Sequence, residues 1–228
     1  MQQFWWLIYP YAALTLMVVG SIYRFVHRPI TWTSKSSEIL EKKWLRVGSL
    51  LFHWGMLFVI GGHVMGLLIP LRVYQDLHVS TEMYHSVADI LGGLAGLSAT
   101  IGCAILMLRR MLNHRVRRNS SVGDFVALIL LFLVIALGTS QTVIANNVVG
   151  PYEYRLTVGP WVRGLILFHP NVSLMAQVPL LLQVHIIISF ALFAVSPFTR
   201  LVHVWSAPFF YPTRAPIQYR SRFGFRAR

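Results

Sequence analysis

The sequence predicts an all-α membrane protein with five transmembrane helices, on three grounds. Of 228 residues, 56% are hydrophobic, against only 20 Lys/Arg and 7 Asp/Glu. Residues 1–23, 47–71, 90–108, 125–152 and 164–199 contain no Asp, Glu, Lys or Arg, and each run reaches the roughly 18 residues that suggest a bilayer span. These runs are also continuous, whereas a membrane barrel shows alternating segments of about ten residues. In lipid, only helices and closed barrels satisfy their own backbone groups. A single five-helix domain over residues 1–228 is the expected architecture.

The first span is expected at 4–24, ending at Arg24, and it is not an ordinary signal peptide because no basic residue precedes it. The loop TWTSKSSEILEKKWLR reads as a short amphipathic segment at the membrane surface. A second span, 47–71, stops at Pro70 and Arg72; the third, 86–108, stops at Arg109 and Arg110. The fourth covers 124–145 and leads into a longer loop, 146–175, broken by Gly150-Pro151, Gly159-Pro160 and Pro170. The fifth begins at Pro179, tolerable in a first turn, and is expected to run past Pro197 to 206. Gly62 and Gly66 in the second span, and Gly92 and Gly96 in the third, have the small-xxx-small spacing that lets helices, or a helix and a flat cofactor, approach closely.

Charge sets the expected topology. The segments 24–46, 109–118 and 199–228 hold six, five and six Lys/Arg, while the opposite loops hold only Arg72, Arg155 and Arg163. Basic loops face the cytoplasm, which places the N-terminus outside and the C-terminus inside a prokaryotic cytoplasmic membrane. The net charge of +13 thus reflects orientation and contact with lipid headgroups rather than nucleic-acid binding. Cys103 is the only cysteine, which excludes an intramolecular disulfide, a cysteine-ligated cluster and a CxxCH haem attachment.

The informative residues are histidines. His53 and His63 lie in the second span, His185 in the fifth and His203 in its extension, while the first, third and fourth spans have none. Ionisable residues within a membrane are uncommon and usually face the bundle interior or a functional site. The second and fifth spans run in opposite directions, so His53 and His203 share the basic end, and His63 and His185 the other. Each cross-helix pair is suited to clamp one haem iron between two imidazoles, with Gly61-Gly62 beside His63 leaving room for a flat group. Spacings of ten and eighteen residues suit no single compact metal site. They also disagree: on ideal helices they rise about 15 Å and about 27 Å. Side-chain lean, tilt and a kink at Pro197 must absorb that difference. Both axial positions would be filled, making such haems electron carriers. Arg46, Arg109, Arg110 and Arg200 are candidates to meet haem propionates.

These residues resemble a known family along nearly the whole chain: the cytochrome b (gamma) subunit of membrane-bound respiratory nitrate reductases. The matching stretches are IYPY (8–11), TW followed by SS (31–37), LFH with GGH ten residues on (51–63), RR with RVR (109–117) and SPFTRLVHVWSAP (196–208). The resemblance implies two b-type haems, one held by His53 and His203 nearer the cytoplasm and one by His63 and His185 nearer the outer face. It further implies quinol oxidation near the outer haem, with quinone as product. Electrons would then pass to a cytoplasmic iron–sulfur subunit and on to a molybdenum subunit that reduces nitrate. Where the family carries a lysine at the outer end of the third span, this chain reads EMYHSVAD. Tyr84, His85, Asp89 and Gly62 are therefore the candidate quinol-site residues.

Other readings stay open on residues alone. The same dihaem module would equally serve a sulfur-compound or heterodisulfide reductase. A proton-conducting histidine relay needs polar links, yet only WGMLFVIGG separates His53 from His63. A haem-free scaffold anchoring soluble subunits is the third alternative.

Overall fold

A computed structural model describes residues 1–28, 31–32 and 37–206. Part of the TW…SS motif, the end of the SPFTRLVHVWSAP motif and the arginine-rich stretch 207–228 lie outside the described residues. Among the described residues there is no strand, and five helices are long and apolar enough to cross a membrane: Phe4–His27, Lys43–Leu68, Thr81–Leu112, Val122–Val148 and Leu180–Phe198.

The expected spans are all present, but their edges move for reasons of capping. Charge-free runs mark what lipid tolerates, whereas a helix ends where its terminal N–H and C=O groups find partners. Glu41 accepts hydrogen bonds from the backbone N–H of Trp44 and Leu45 (2.9 and 3.3 Å), so the second span starts four residues before the apolar run. The Ser80 hydroxyl accepts from the N–H of Met83 (3.1 Å), which starts the third span at Thr81. Ser121 and Asp124 form a reciprocal capping box at the head of the fourth.

The second span lies along the third, the third along the fourth, the fourth along the fifth, and the fifth along the first. The outward faces are apolar, with Val19, Ile22, Leu57, Phe58, Ile90 and Leu94 more than half exposed, as a lipid-facing surface requires. The second and third spans meet backbone to backbone. A Cβ on Gly55 would lie 2.6 Å from the Ala99 nitrogen, and Gly102 packs as closely on the backbone of Phe52. The small-residue contact is thus built from Gly48, Gly55, Ala99 and Gly102. Of the glycines expected to make it, Gly62 has nothing within 4 Å, and Gly92 meets only Thr142 at 3.9 Å.

The fifth span departs most from expectation. Its α-helix ends at Val195, a 3-10 turn covers Ser196–Phe198, Thr199 is extended, and a second 3-10 segment, Arg200–Ser206, carries His203. Pro197 at the break cannot donate into the preceding turn. Arg24 fixes the break by donating from Nη1 to the carbonyls of Pro197 and Thr199, both at 2.7 Å. His203 therefore lies beyond the α-helix that carries His185, on a separate 3-10 segment.

The loop 146–175 also folds. Val158–Ile166 is helical, with Pro160 in its first turn, and Val172–Gln177 is a 3-10 turn. Trp161 is fully buried against Trp6, Ile186, Phe190 and Met175, and its Nε1–H donates to the Trp6 carbonyl (2.9 Å). Of the IYPY tyrosines, Tyr11 pins this cap by donating to Leu165 O, and Tyr9 ties the first span to the fifth by donating to Ile187 O.

At the basic end, Arg109 spends all three guanidinium nitrogens on Ser37 and Glu41. Burial alone would raise the Glu41 carboxyl, but the Trp44 N–H and Arg109 outweigh it and hold it below the usual carboxylate range. A lowered folded value means this tie contributes fully above the ordinary carboxylate pKa and is lost as pH falls through the lowered one.

Candidate functional site

The two histidine pairs form as the spacing implied. The rings of His53 and His203 have centroids 6.5 Å apart, and those of His63 and His185 6.3 Å apart. All four Nδ1 atoms face backbone carbonyls: Ser49 O at 2.8 Å from His53, Val59 O at 2.8 Å from His63, Val134 O at 3.0 Å from His185 and Arg200 O at 2.6 Å from His203. A carbonyl only accepts, so each Nδ1 donates, and the Nε2 of each neutral ring is left as the lone-pair nitrogen. An N–H held by a carbonyl is the usual support of a metal-binding imidazole.

The separations match that chemistry. With about 2 Å for each metal–nitrogen bond, and roughly 1 Å more to each ring centre, one metal between coaxial imidazoles sets their centroids about 6 Å apart. Among the described residues no group of three or more His, Cys, Asp or Glu could hold a metal ion, so each pair offers two imidazoles and no compact chelate. A porphyrin supplies the four equatorial nitrogens that such a pair lacks.

The surroundings serve the rings. Gly138 on the fourth span leaves room for His185, since a Cβ there would lie 3.0 Å from its Cε1. Gly61 and Gly62, beside His63, meet nothing within 4 Å, a flat face suited to a planar group. At the basic end a cleft of about 670 Å³, lined by Lys42, Arg46, Ser49 and Trp54, reaches His53.

Comparison with known proteins bears directly on this arrangement. The family model for the nitrate reductase gamma subunit matches residues 2–222. The chain is 48% identical to the nitrate reductase gamma chain of Bacillus subtilis over 96% of its own length and 98% of that chain. To the respiratory nitrate reductase 2 gamma chain of Escherichia coli it is 36% identical, over 96% of each. It is also 40% identical to the nitrate reductase-like protein NarX of Mycobacterium tuberculosis, over 97% of this chain but 34% of that longer one.

The chain belongs to the nitrate reductase gamma subunit family. Gamma subunits are cytochrome b-type membrane components of a respiratory nitrate reductase complex, and the multi-pass fold and paired histidines fit that description.

Within this gamma subunit the four arginines expected near propionates separate. Arg46 lines the cleft beside His53. Arg109 is spent on the 37–41 segment, Arg110 pairs with Asp124 at 3.1 Å, and Arg200 reaches the same carboxylate at 3.2 Å. Asp124 thereby ties the third span to the segment that carries His203.

The four quinol-site candidates do not form one group. Gly62 lies on the open face beside His63. Asp89 accepts from the Asn146 amide (2.6 Å). Tyr84 and His85 are buried in a separate cluster that packs against Gly66, one turn beyond His63: Tyr84 OH bonds Tyr154 OH at 2.9 Å, and His85 Nε2 meets Glu153 Oε2 at 3.2 Å. Arg155, 1% exposed, holds Glu153 through Nε and Nη2 (2.7 and 2.6 Å) and lies 3.8 Å over the Tyr84 ring. Burial raises the Glu153 carboxyl, and Arg155 more than reverses this, so it stays below the usual range. Burial and the Tyr84 hydroxyl push Tyr154 up. The signal for this cluster was present as YEYR (152–155), one acid and one base within a loop otherwise poor in charge.

Proposed function

We propose that this gamma subunit is a dihaem cytochrome b that draws electrons from quinol at its far end and delivers them at its basic end, for nitrate reduction by partner subunits. His53 and His203 hold one haem b at the basic end, and His63 and His185 hold the second. The observation that carries this is the pair of imidazole separations, 6.5 and 6.3 Å, with every Nδ1 engaged by a carbonyl. A haem held in each pair would supply one-electron transfer.

The chain's own part is to present four lone-pair nitrogens, keep the rings neutral and hold them in two layers. The basic end faces the cytoplasm of a prokaryotic cell membrane and meets an iron–sulfur subunit, which passes electrons to a molybdenum subunit. Quinol is oxidised near Gly62, on the open face next to His63, and quinone leaves. Membrane lipid covers the remaining apolar surface.

Affinity purification of the chain from membranes tests this directly. The iron–sulfur and molybdenum subunits are expected to co-purify, with two haems b per gamma chain and nitrate reduction driven by a quinol analogue. A haem-free helical protein would sink the proposal. Asp124→Asn gives a finer check on the basic-end centre. Losing the anchor of Arg110 and Arg200 should lower haem affinity at His53/His203 about 10- to 100-fold, and titration with haem should show the far centre unchanged.

A further inference from the structure

A histidine, a glutamate, an arginine and two tyrosines are packed together beside the far histidine pair, and electron transfer uses none of them. Their place is set by Gly66, three residues beyond His63: a Cβ there would lie 2.5 Å from the Tyr154 hydroxyl and 2.9 Å from that of Tyr84. The second span makes a π-turn over Val64–Leu68 at this point, an irregularity frequent at functional sites. The hydroxyl pair thus abuts the helix that carries His63, about one turn away.

From that pair the cluster leads toward water. Tyr84 stacks edge-on to its neighbour His85 (5.8 Å), and the His85 side chain is 10% exposed where it meets Glu153, itself 22% exposed. Burying a histidine, a carboxylate and a guanidinium in an apolar domain carries a large desolvation cost, which plain packing does not explain. One guanidinium nitrogen, Nη1 of Arg155, is moreover buried without an acceptor. Leaving such a donor unmade is costly, and it is suited to hold a bridging water.

We infer that His85 and Glu153 form the relay by which protons leave a quinol oxidised at the far end, with Arg155 as the positioning residue for Glu153. The inference rests on the proposed quinol oxidation. Quinol loses two O–H bonds and gains two C=O bonds, releasing two electrons and two protons. A haem held by His63 and His185 would take the electrons one at a time, and the protons pass through the Tyr84–Tyr154 hydroxyls and water to His85. Imidazole accepts a proton on one nitrogen and gives one up from the other, here to the Glu153 carboxylate and then to bulk water. The charged groups facing His85 are Glu153 and, behind it, Arg155. On its own helix Asp89 is turned to Asn146.

The test uses membranes holding the assembled complex, with menadiol as quinol and rapid-mixing absorbance of the b haems as readout. His85→Gln is expected to keep full haem amplitude while slowing menadiol-driven haem reduction roughly tenfold or more. It should also enlarge the solvent deuterium effect and flatten the pH profile. Glu153→Asp should recover part of the rate lost in Glu153→Gln, and His85→Gln decides alone if Glu153→Gln does not accumulate, because it leaves the Glu153–Arg155 pair intact. His85→Gln with the wild-type rate, isotope effect and pH profile overturns the relay. Wild-type haems that menadiol does not reduce overturn the quinol reading beneath it.

Discussion

Replacing His63 or His185 with alanine is expected to leave one b haem per chain instead of two and to abolish haem reduction by quinol. The two rings lie 6.3 Å apart, so removing either would leave one imidazole where the proposed haem needs both. His53 is ten residues, about 15 Å, along the helix from His63, and its ring is held by Ser49 O within the same helix. The basic-end centre should therefore survive. The mirror-image variants, His53→Ala and His203→Ala, should remove that centre while the far one is still reduced by quinol but not reoxidised by nitrate. Pyridine haemochrome counts and reduced-minus-oxidised spectra of the four purified variants read these outcomes. If all four retained both haems, the ligand assignment would be wrong.

Much of the fold was legible because lipid penalises charge so heavily. Five charge-free runs gave five spans, and four histidines on two of them gave two pairs. What the residues could not show was where helices stop. Glu41, Ser80 and Ser121 extend or fix three of them through side-chain caps outside the apolar runs. The fifth span was expected to reach 206 with a kink at Pro197; the structure makes that kink a full break at Pro197 and Thr199, and its hold by Arg24 from another helix is what hydropathy does not see. Across that break the His53 and His203 rings still meet, 6.5 Å apart.

The loop cap and the acidic cluster were hidden for a different reason. Gly159-Pro160 reads as a breaker, yet proline is compatible with a first helical turn, and burial of Trp161 rewards the helix. Tyr84 and His85 were visible as polar residues at a span edge. Their partners Glu153, Tyr154 and Arg155 lie about seventy residues away, a pairing no local pattern encodes. Gly66 was expected to be a helix contact. It makes such contacts, with Tyr84 of the third span and with Gly159 of the loop helix, and in doing so admits two tyrosine hydroxyls.

Gly55→Ala is expected to lose both haems while the protein stays helical, an effect larger than its single methyl suggests. A Cβ at this position meets Ala99 N at 2.6 Å, Ala95 O at 2.8 Å and Ala99 Cα at 2.9 Å. All three are backbone atoms, so no side chain can rotate away, and the second and third spans must part. Overpacking of this kind costs typically about 1–3 kcal/mol, occasionally more. In a membrane, small residues allow the close helix approach that drives association; the remaining ties between the two spans among the described residues are Ser98 to the Leu51 carbonyl and Arg109 to Glu41 and Ser37. His53 and His63 both ride on the displaced helix, two residues before Gly55 and eight after it. A shift of about 1 Å is enough to spoil geometry that must be held to within roughly 0.5 Å. Gly92→Ala provides the contrast: its Cβ finds only Thr142 Cγ2 at 3.9 Å, and alanine is the better helix former by about 1 kcal/mol, so both haems should remain. Haem counts alongside far-ultraviolet circular dichroism separate these outcomes. Retention of both haems by Gly55→Ala would mean that backbone contact with the third span does not set the imidazole positions.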